Sequence, residues 1–251
     1  MRILHVDTAT EWRGGQNQIV LTAEGQAALG HEVRIFANTL GELAARASKA
    51  SLPVHAASVG RGDLSWRTLV AIRDAARAFG PDVIHVHESH GIPGAILAAR
   101  AASKPSRLIA SRRVDFPLRF MSRLKYARMD RVLAVSRAVR DVLVSGGLPP
   151  DRVALVHEGV SDRKPAAGGA EALRALGIPE GAPLVGNVAQ LVDHKDHATL
   201  LRAAAIVLGA RPDCRFVICG DGPLRGNLDA LARSLGISDR VSFAGFRGDL
   251  D

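Results

Sequence analysis

The sequence predicts an α/β protein: parallel sheets covered by helices, in two successive halves of which the second is incomplete. Short β-like runs alternate with helical ones along the chain, the signature of βαβ units, because a parallel connection needs a crossover helix to return it. Hydrophobic residues make up 47% of the 251 residues and aromatics only 4%, so the core must be built from Ala, Val, Leu and Ile. That mixture suits a helix-covered parallel sheet. The alternation breaks once, over residues 158–170, where a proline and three glycines interrupt it, and then restarts.

Residues 3–6 read as the first strand and 16–29 as an apolar-periodic helix that Gly30 closes. A strand at 32–37 and a helix at 64–79, stopped by Gly80 and Pro81, come next. Strand 83–87, the small-residue helix 95–102 and strand 107–111 follow, and Pro117 is expected to open a helix, where its missing N–H costs nothing. Strand 132–135 leads to Ser136, an N-cap for helix 137–143, and strand 153–156 ends the series. After the break come strand 183–188, helix 199–208, strand 215–219, helix 224–235 and strand 241–244. The expected organisation is a Rossmann-like domain over 1–160, a linker over 161–170, and a partial Rossmann-like domain over 171–251.

No uncharged apolar run approaches the length of about 18 residues that spans a bilayer. Met1-Arg2 leads straight into a strand rather than a secretory leader, and Cys214 and Cys219 share one strand, which is neither a disulfide framework nor a zinc pattern. The chain therefore reads as soluble and cytoplasmic. Its net charge of +8 is concentrated: residues 107–131 hold eight basic side chains against Asp115 and Asp130. This stretch reads either as a solvated helix face or as a patch attracting phosphate-rich partners. Leu118, Met121, Leu124 and Ala127 form an apolar stripe flanked by Arg119, Arg123 and Arg128, which favours an anionic membrane surface as a partner. Nucleic acid is not expected, because no aromatics interleave with the cations.

In an open α/β sheet, ligands bind outside the carboxyl ends of the strands. The first such loop ends in Gly14-Gly15 at a helix start, where backbone N–H groups and the helix dipole suit a phosphate, although two glycines also serve simply to turn a chain. The fourth strand ends in His85-Val86-His87-Glu88-Ser89-His90. His85 and His87 share a strand face and could take a metal with His90 or Glu88, but no further ligand is nominated, so a substrate-contacting loop is the preferred reading. A P-loop and a nucleophile elbow are both lacking. In the second half, Lys195 stands just ahead of a helix, and Gly220-Asp221-Gly222-Pro223 follows a strand.

Taken in order, the motifs are similar to those of the family-4 glycosyltransferases. They are Trp12-Arg13-Gly14-Gly15-Gln16, Gly30-His31-Glu32-Val33, Asp82-Val83-Ile84-His85-Val86-His87, Val135-Ser136, His157-Glu158-Gly159-Val160, Leu191 with Lys195, Gly220-Asp221-Gly222-Pro223-Leu224, and Val241-Ser242-Phe243-Ala244-Gly245-Phe246. The resemblance implies the GT-B fold and transfer of a sugar from a nucleotide-diphosphate sugar, with retention, to a glycan or lipid-linked acceptor of cell-envelope polysaccharide synthesis. Gly14 and Gly15 would face the donor diphosphate, with Gln190 and Lys195 on the second domain's side. Gly220, Asp221, Gly222, Pro223, Gly245 and Phe246 would line the nucleoside. His87, Glu88, His90 and Arg112 are the candidates for catalysis, and His87, His90, Arg112 and Arg113 those for the acceptor side. No cofactor and no metal are expected, the nucleotide sugar being a co-substrate, and peripheral attachment to the inner membrane face is expected through Arg119, Arg123 and Arg128.

Three departures qualify this implication. Gln190 occupies the neighbourhood where the family usually has an arginine, and Arg112-Arg113 occupy a loop where many members carry a histidine. The family's later pair of glutamates has no counterpart in this chain. A degenerate, non-enzymatic relative that binds nucleotide or glycan, or a GT-B nucleotide-sugar epimerase, therefore stand as alternatives.

Overall fold

The computed structural model describes residues 1–60, 62, 64–102, 104–160 and 168–247. The chain divides into two compact units, Met1–Ser161 and Asp162–Asp251. Most of the expected linker (161–167) and the terminal Asp249-Leu250-Asp251 lie outside the described residues.

Unit 1 begins with β1 (Arg2–Val6), α1 (Gly14–Ala28) and β2 (Glu32–Asn38). The turn after α1 closes through Gly30 at φ 81°, the left-handed conformation expected for it. Then come α2 (Glu42–Lys49) and the short β3 (Val54–Ala57), two elements without a counterpart in the sequence reading. They continue through α3 (Trp66–Phe79), β4 (Val83–Val86), α4 (Ile92–Ala101), β5 (Arg107–Arg112), α5 (Phe120–Tyr126), β6 (Arg131–Ala134), α6 (Arg137–Ser145) and β7 (Val153–Leu155). The Ser136 side chain accepts from Val139 N–H at 3.2 Å, capping α6 as its position foretold. Pro117 does not open α5: the helix starts at Phe120, with Arg119 as its extended N-cap residue.

All seven strands of unit 1 pair in parallel, in the order β3-β2-β1-β4-β5-β6-β7. The order reverses direction at β1 and β4, so the crossovers leaving those two strands diverge and open a crevice at their carboxyl ends. Apolar clusters cover both faces. One gathers Leu4, Phe36, Ile72, Phe79, Ile84 and Ile92; the other joins Ile19, Ile35 and Leu43.

Unit 2 contains α7 (Gly169–Ala175), β8 (Leu184–Val188), α8 (His197–Ala210), β9 (Arg215–Cys219), α9 (Arg225–Ser234) and β10 (Val241–Gly245). Helix α7 starts inside the stretch read as linker. The three strands are parallel in the order β10-β9-β8, which leaves β8 at an edge with Leu184, Val185 and Val188 exposed. Leu191, Leu201, Phe216, Ile218 and Leu228 form the core of this unit.

Candidate functional site

The crevice of unit 1 is floored by the residues that follow β1 and β4. Asp7, the first residue past β1, is 1% exposed. Its Oδ1 accepts from Ala9 N–H at 3.0 Å and its Oδ2 from Gln16 Nε2 at 3.1 Å, while Gln16 Oε1 accepts from Arg13 N–H at 3.1 Å. A buried carboxylate thus ties the strand end to the start of α1 and sets the Gly14-Gly15 turn. Burial pushes the Asp7 carboxyl up from 3.8 to about 6, Glu88 pushes it the same way, and the Ala9 N–H, Gln16 and Arg113 oppose them.

Glu88 is spent on the surrounding loops. Its Oε1 accepts from Thr8 Oγ1 and from Gly91 N–H, each at 2.9 Å, and its Oε2 from His90 N–H at 2.5 Å. It shapes the turn into α4 rather than offering a free carboxylate. His87 lies one residue beyond the end of β4 and is buried, with His5 and His85 beside it. The ligand nitrogens of these three histidines lie within 4.8 Å of one another. Their ring centroids lie 5.0 Å apart for His5 with His87, 4.1 Å for His85 with His87 and 5.3 Å for His5 with His85, and the nitrogens a metal ion would need are engaged in hydrogen bonds. Both His5 nitrogens and both His87 nitrogens have protein partners, and His85 Nε2 pairs with Ser111 Oγ at 2.8 Å. The cluster is a hydrogen-bonded array. Burial, before neighbouring charge, drives the pKa of His85 and His87 well below the usual range.

The structure therefore redistributes the expected site. His87, a candidate for catalysis and for the acceptor, is enclosed, and His90 is exposed on the loop. Arg112 turns inward: it is 7% exposed, donates to the Phe116 carbonyl and lies 5.5 Å over the Tyr126 ring. Arg113 instead reaches the crevice, lying against Gly15 and pairing with Glu158. Sequence reasoning did not single out Asp7, His5, Gln26 or Glu158 as site residues. Asp7 was legible as the first polar residue beyond an apolar strand and Glu158 lay in a motif given no role, whereas Gln26 carries no local signal.

In unit 2 the expected nucleoside loops meet at the carboxyl ends of the strands. Leu191 N–H donates to Asp221 O at 2.9 Å, and Gly220 N–H to Gly245 O at 2.7 Å. Gly220 and Gly222 have φ of 142° and 159°, and a Cβ would fall 2.0 Å from Ala189 O and 2.5 Å from Leu191 O respectively. Only glycine allows these loops to interlock. Pro223 and Phe246 are exposed beside them, as are Gln190 and Lys195. Lys195 ends a tight turn ahead of α8, whose N-cap Asp196 accepts from Thr199 N–H at 3.3 Å.

Residues 12–164 match Glycosyltransferase Family 4, and residues 170–251 match Glycosyl transferases group 1. The 2-deoxystreptamine N-acetyl-D-glucosaminyltransferase of Streptomyces fradiae is 30% identical over 237 residues, covering 81% of this chain and 55% of that protein. The alpha-D-kanosaminyltransferase of Streptomyces kanamyceticus is 28% identical over 171 residues, covering 66% of this chain and 42% of that protein. The chain thus spans about half the length of these curated relatives. Among solved structures, Anabaena HepE in complex with UDP and glucose superposes with a TM-score of 0.82 at 17% identity, over 99% of this chain and 70% of that one. The UDP-GlcNAc 2-epimerase of Neisseria meningitidis bound to UDP-GlcNAc gives 0.66 at 15% identity, over 98% and 72%. The structural likeness is one of fold, and the sequence matches cover both units. The chain belongs to the family-4 glycosyltransferases with the GT-B fold.

Proposed function

We propose that the protein transfers a sugar from a nucleotide-diphosphate sugar to a glycan or lipid-linked acceptor with retention of configuration. The observation that carries this reading is the switch-point crevice of unit 1, where Gly14 and Gly15 begin α1 beside Arg113 with no acidic residue in the helix's first turn. Backbone N–H groups, a helix dipole and a guanidinium at one place suit a diphosphate. Unit 2 offers Lys195 as a further diphosphate cation and the interlocked Gly220–Pro223 and Gly245-Phe246 loops as a frame for the nucleoside. That solved neighbours are complexes with UDP and UDP-glucose supports the donor class.

The chemistry asked of the chain is modest. An acceptor hydroxyl oxygen bonds to the anomeric carbon on the face from which the diphosphate departs, the bond from that carbon to the phosphate oxygen breaks, and the hydroxyl proton passes to the leaving phosphate. Unit 1 supports a route without a protein nucleophile: Asp7 is buried and Glu88 is fully hydrogen-bonded, so neither carboxylate is poised to attack. Positioning and stabilisation of the departing charge then carry catalysis.

The membrane reading shifts in detail. Leu118 lies before α5 and packs on the core, whereas Phe116, Phe120, Met121 and Leu124 are 63%, 73%, 63% and 37% exposed. With Arg119, Arg123 and Arg128 beside them, these residues favour docking on an anionic lipid surface, as a lipid-linked acceptor would require, each cation there contributing about 1 kcal/mol. Co-sedimentation with anionic but not neutral vesicles, lost in high salt, is the expected result. Equal partition to both vesicle types returns the segment to a solvated face.

The reaction itself is tested by incubating the protein with UDP-glucose or UDP-GlcNAc and following UDP release with and without candidate acceptors. Acceptor-dependent release supports transfer. Inversion at C2 of the sugar without any acceptor supports the epimerase reading. Binding of the nucleotide without any turnover supports the non-enzymatic one.

A further inference from the structure

The His5–His87 pair of unit 1 admits a single pattern of protons. Arg113 can only donate, so its Nη2 contact with His87 Nδ1 at 3.3 Å makes that nitrogen the acceptor. Neutral His87 then carries its proton on Nε2 and donates to His5 Nδ1 at 2.8 Å. His5 is in turn protonated on Nε2 and donates to Gln26 Oε1 at 2.8 Å. No other neutral arrangement satisfies all three contacts. Burial keeps both rings neutral, lowering His5 to about 4 and His87 well below its ordinary value.

Arg113 is the end of this chain that reaches the crevice. A Cβ added to Gly15 would meet its Cδ at 3.5 Å, so the side chain runs along the glycine turn at the start of α1. Nη1 donates to the His87 carbonyl at 3.2 Å, and Nε donates to Glu158, whose side chain is 32% exposed against 19% for Arg113. The guanidinium is therefore held from behind by neutral groups, while its carboxylate partner sits on the more open side.

We propose that Arg113 is the cation with which unit 1 receives the donor diphosphate, that the Gln26–His5–His87 chain aims it, and that Glu158 is the counter-ion the diphosphate displaces. The inference rests on the transferase reading above. A guanidinium presents a planar fork that fits paired phosphate oxygens, and exchanging one carboxylate for a more highly charged diphosphate strengthens its pairing. His5, His87 and Gln26 are positioning residues. Gln26 lies on α1 about 16 Å along the axis from Gly15, too far to touch a ligand there.

Inorganic pyrophosphate is the probe, since it carries the diphosphate without a base, and calorimetry near neutral pH is the assay. Arg113→Ala is expected to weaken binding about tenfold or more, Arg113→Lys by less, and Glu158→Gln to tighten it. Gln26→Leu, which strands the His5 N–H, should weaken binding, whereas Gln26→Glu keeps an acceptor and should hold the parent affinity. Nitrogen-15 spectra of labelled histidine should show His5 and His87 protonated on Nε2 alone, and in Gln26→Leu a disturbed pattern should accompany the loss of pyrophosphate affinity. Parent-like affinity in Arg113→Ala, or an Nδ1 proton on either ring, overturns the proposal. If Arg113→Ala does not fold, the Arg113→Lys and Gln26 comparisons decide it. Absence of pyrophosphate binding by the parent overturns the diphosphate reading as well. Binding lost in Lys195→Ala but untouched in Arg113→Ala overturns this inference alone.

Discussion

Replacing Asp7 by Asn tests the electrostatics of the crevice, because the effect on stability should change sign with pH. The Asp7 carboxyl is raised from 3.8 to about 6, chiefly by burial and secondarily by Glu88. Between those values the folded protein binds the proton more tightly than the unfolded chain does, so stability falls as pH rises through the window. Above it the ionised side chain destabilises unit 1 by about 3 kcal/mol, the free-energy equivalent of that difference in pKa. Asn removes the charge but presents an amide N–H to Gln16 Nε2, also a donor, and so forfeits one hydrogen bond of about 1 kcal/mol. Asp7→Asn should therefore stabilise unit 1 by about 2 kcal/mol near pH 8 and destabilise it by about 1 kcal/mol near pH 3. Both tryptophans, Trp12 and Trp66, lie in unit 1, so urea unfolding followed by tryptophan fluorescence reports on the right part of the chain. The same difference between variant and parent at both pH values would refute the reasoning, for the carboxyl would then titrate alike in the folded and unfolded chain.

Further expectations concern unit 2. Gly222→Ala must bring a Cβ against Leu191 O at a φ of 159° and should cost on the order of 2–3 kcal/mol. Gly226→Ala, in α9 with open space around it, should instead stabilise by about 0.5 kcal/mol; calorimetric melts giving both variants the same sign would contradict the loop geometry. The β8 edge carries exposed Leu184, Val185 and Val188 and no charged residue, so the 251-residue chain is expected to self-associate. A monodisperse monomer in light scattering at high concentration would count against this.

Local chemistry fixed what the sequence determined by itself. Apolar runs punctuated by Gly30, Gly80 and Ser136 marked strands, helix ends and a cap, because strand period, left-handed glycine and an N-cap hydroxyl act within a few residues. The short elements α2 and β3 escaped, and Pro117 misled. Val54-His55-Ala56-Ala57 has a single β-branched residue and α2 is mostly small and charged, so neither shows an apolar run, and a proline tolerated at a helix start is equally tolerated just before one.

Tertiary structure alone decided the site. Whether His87 or His90 meets solvent depends on where β4 ends: His87, one residue past that end, is enclosed, and His90, four residues past it, is exposed. Arg112 and Arg113 are adjacent in sequence, yet one turns inward to Tyr126 while the other crosses to Gly15 and Glu158, because neighbouring side chains leave an extended strand on opposite sides. Asp7, His5 and Gln26 acquire meaning only when the parallel sheet sets β1 between β2 and β4 and packs α1 on β2 beside it. Hydrogen-bond partners as distant in sequence as His5 and His87 are chosen by strand order, which no local pattern encodes.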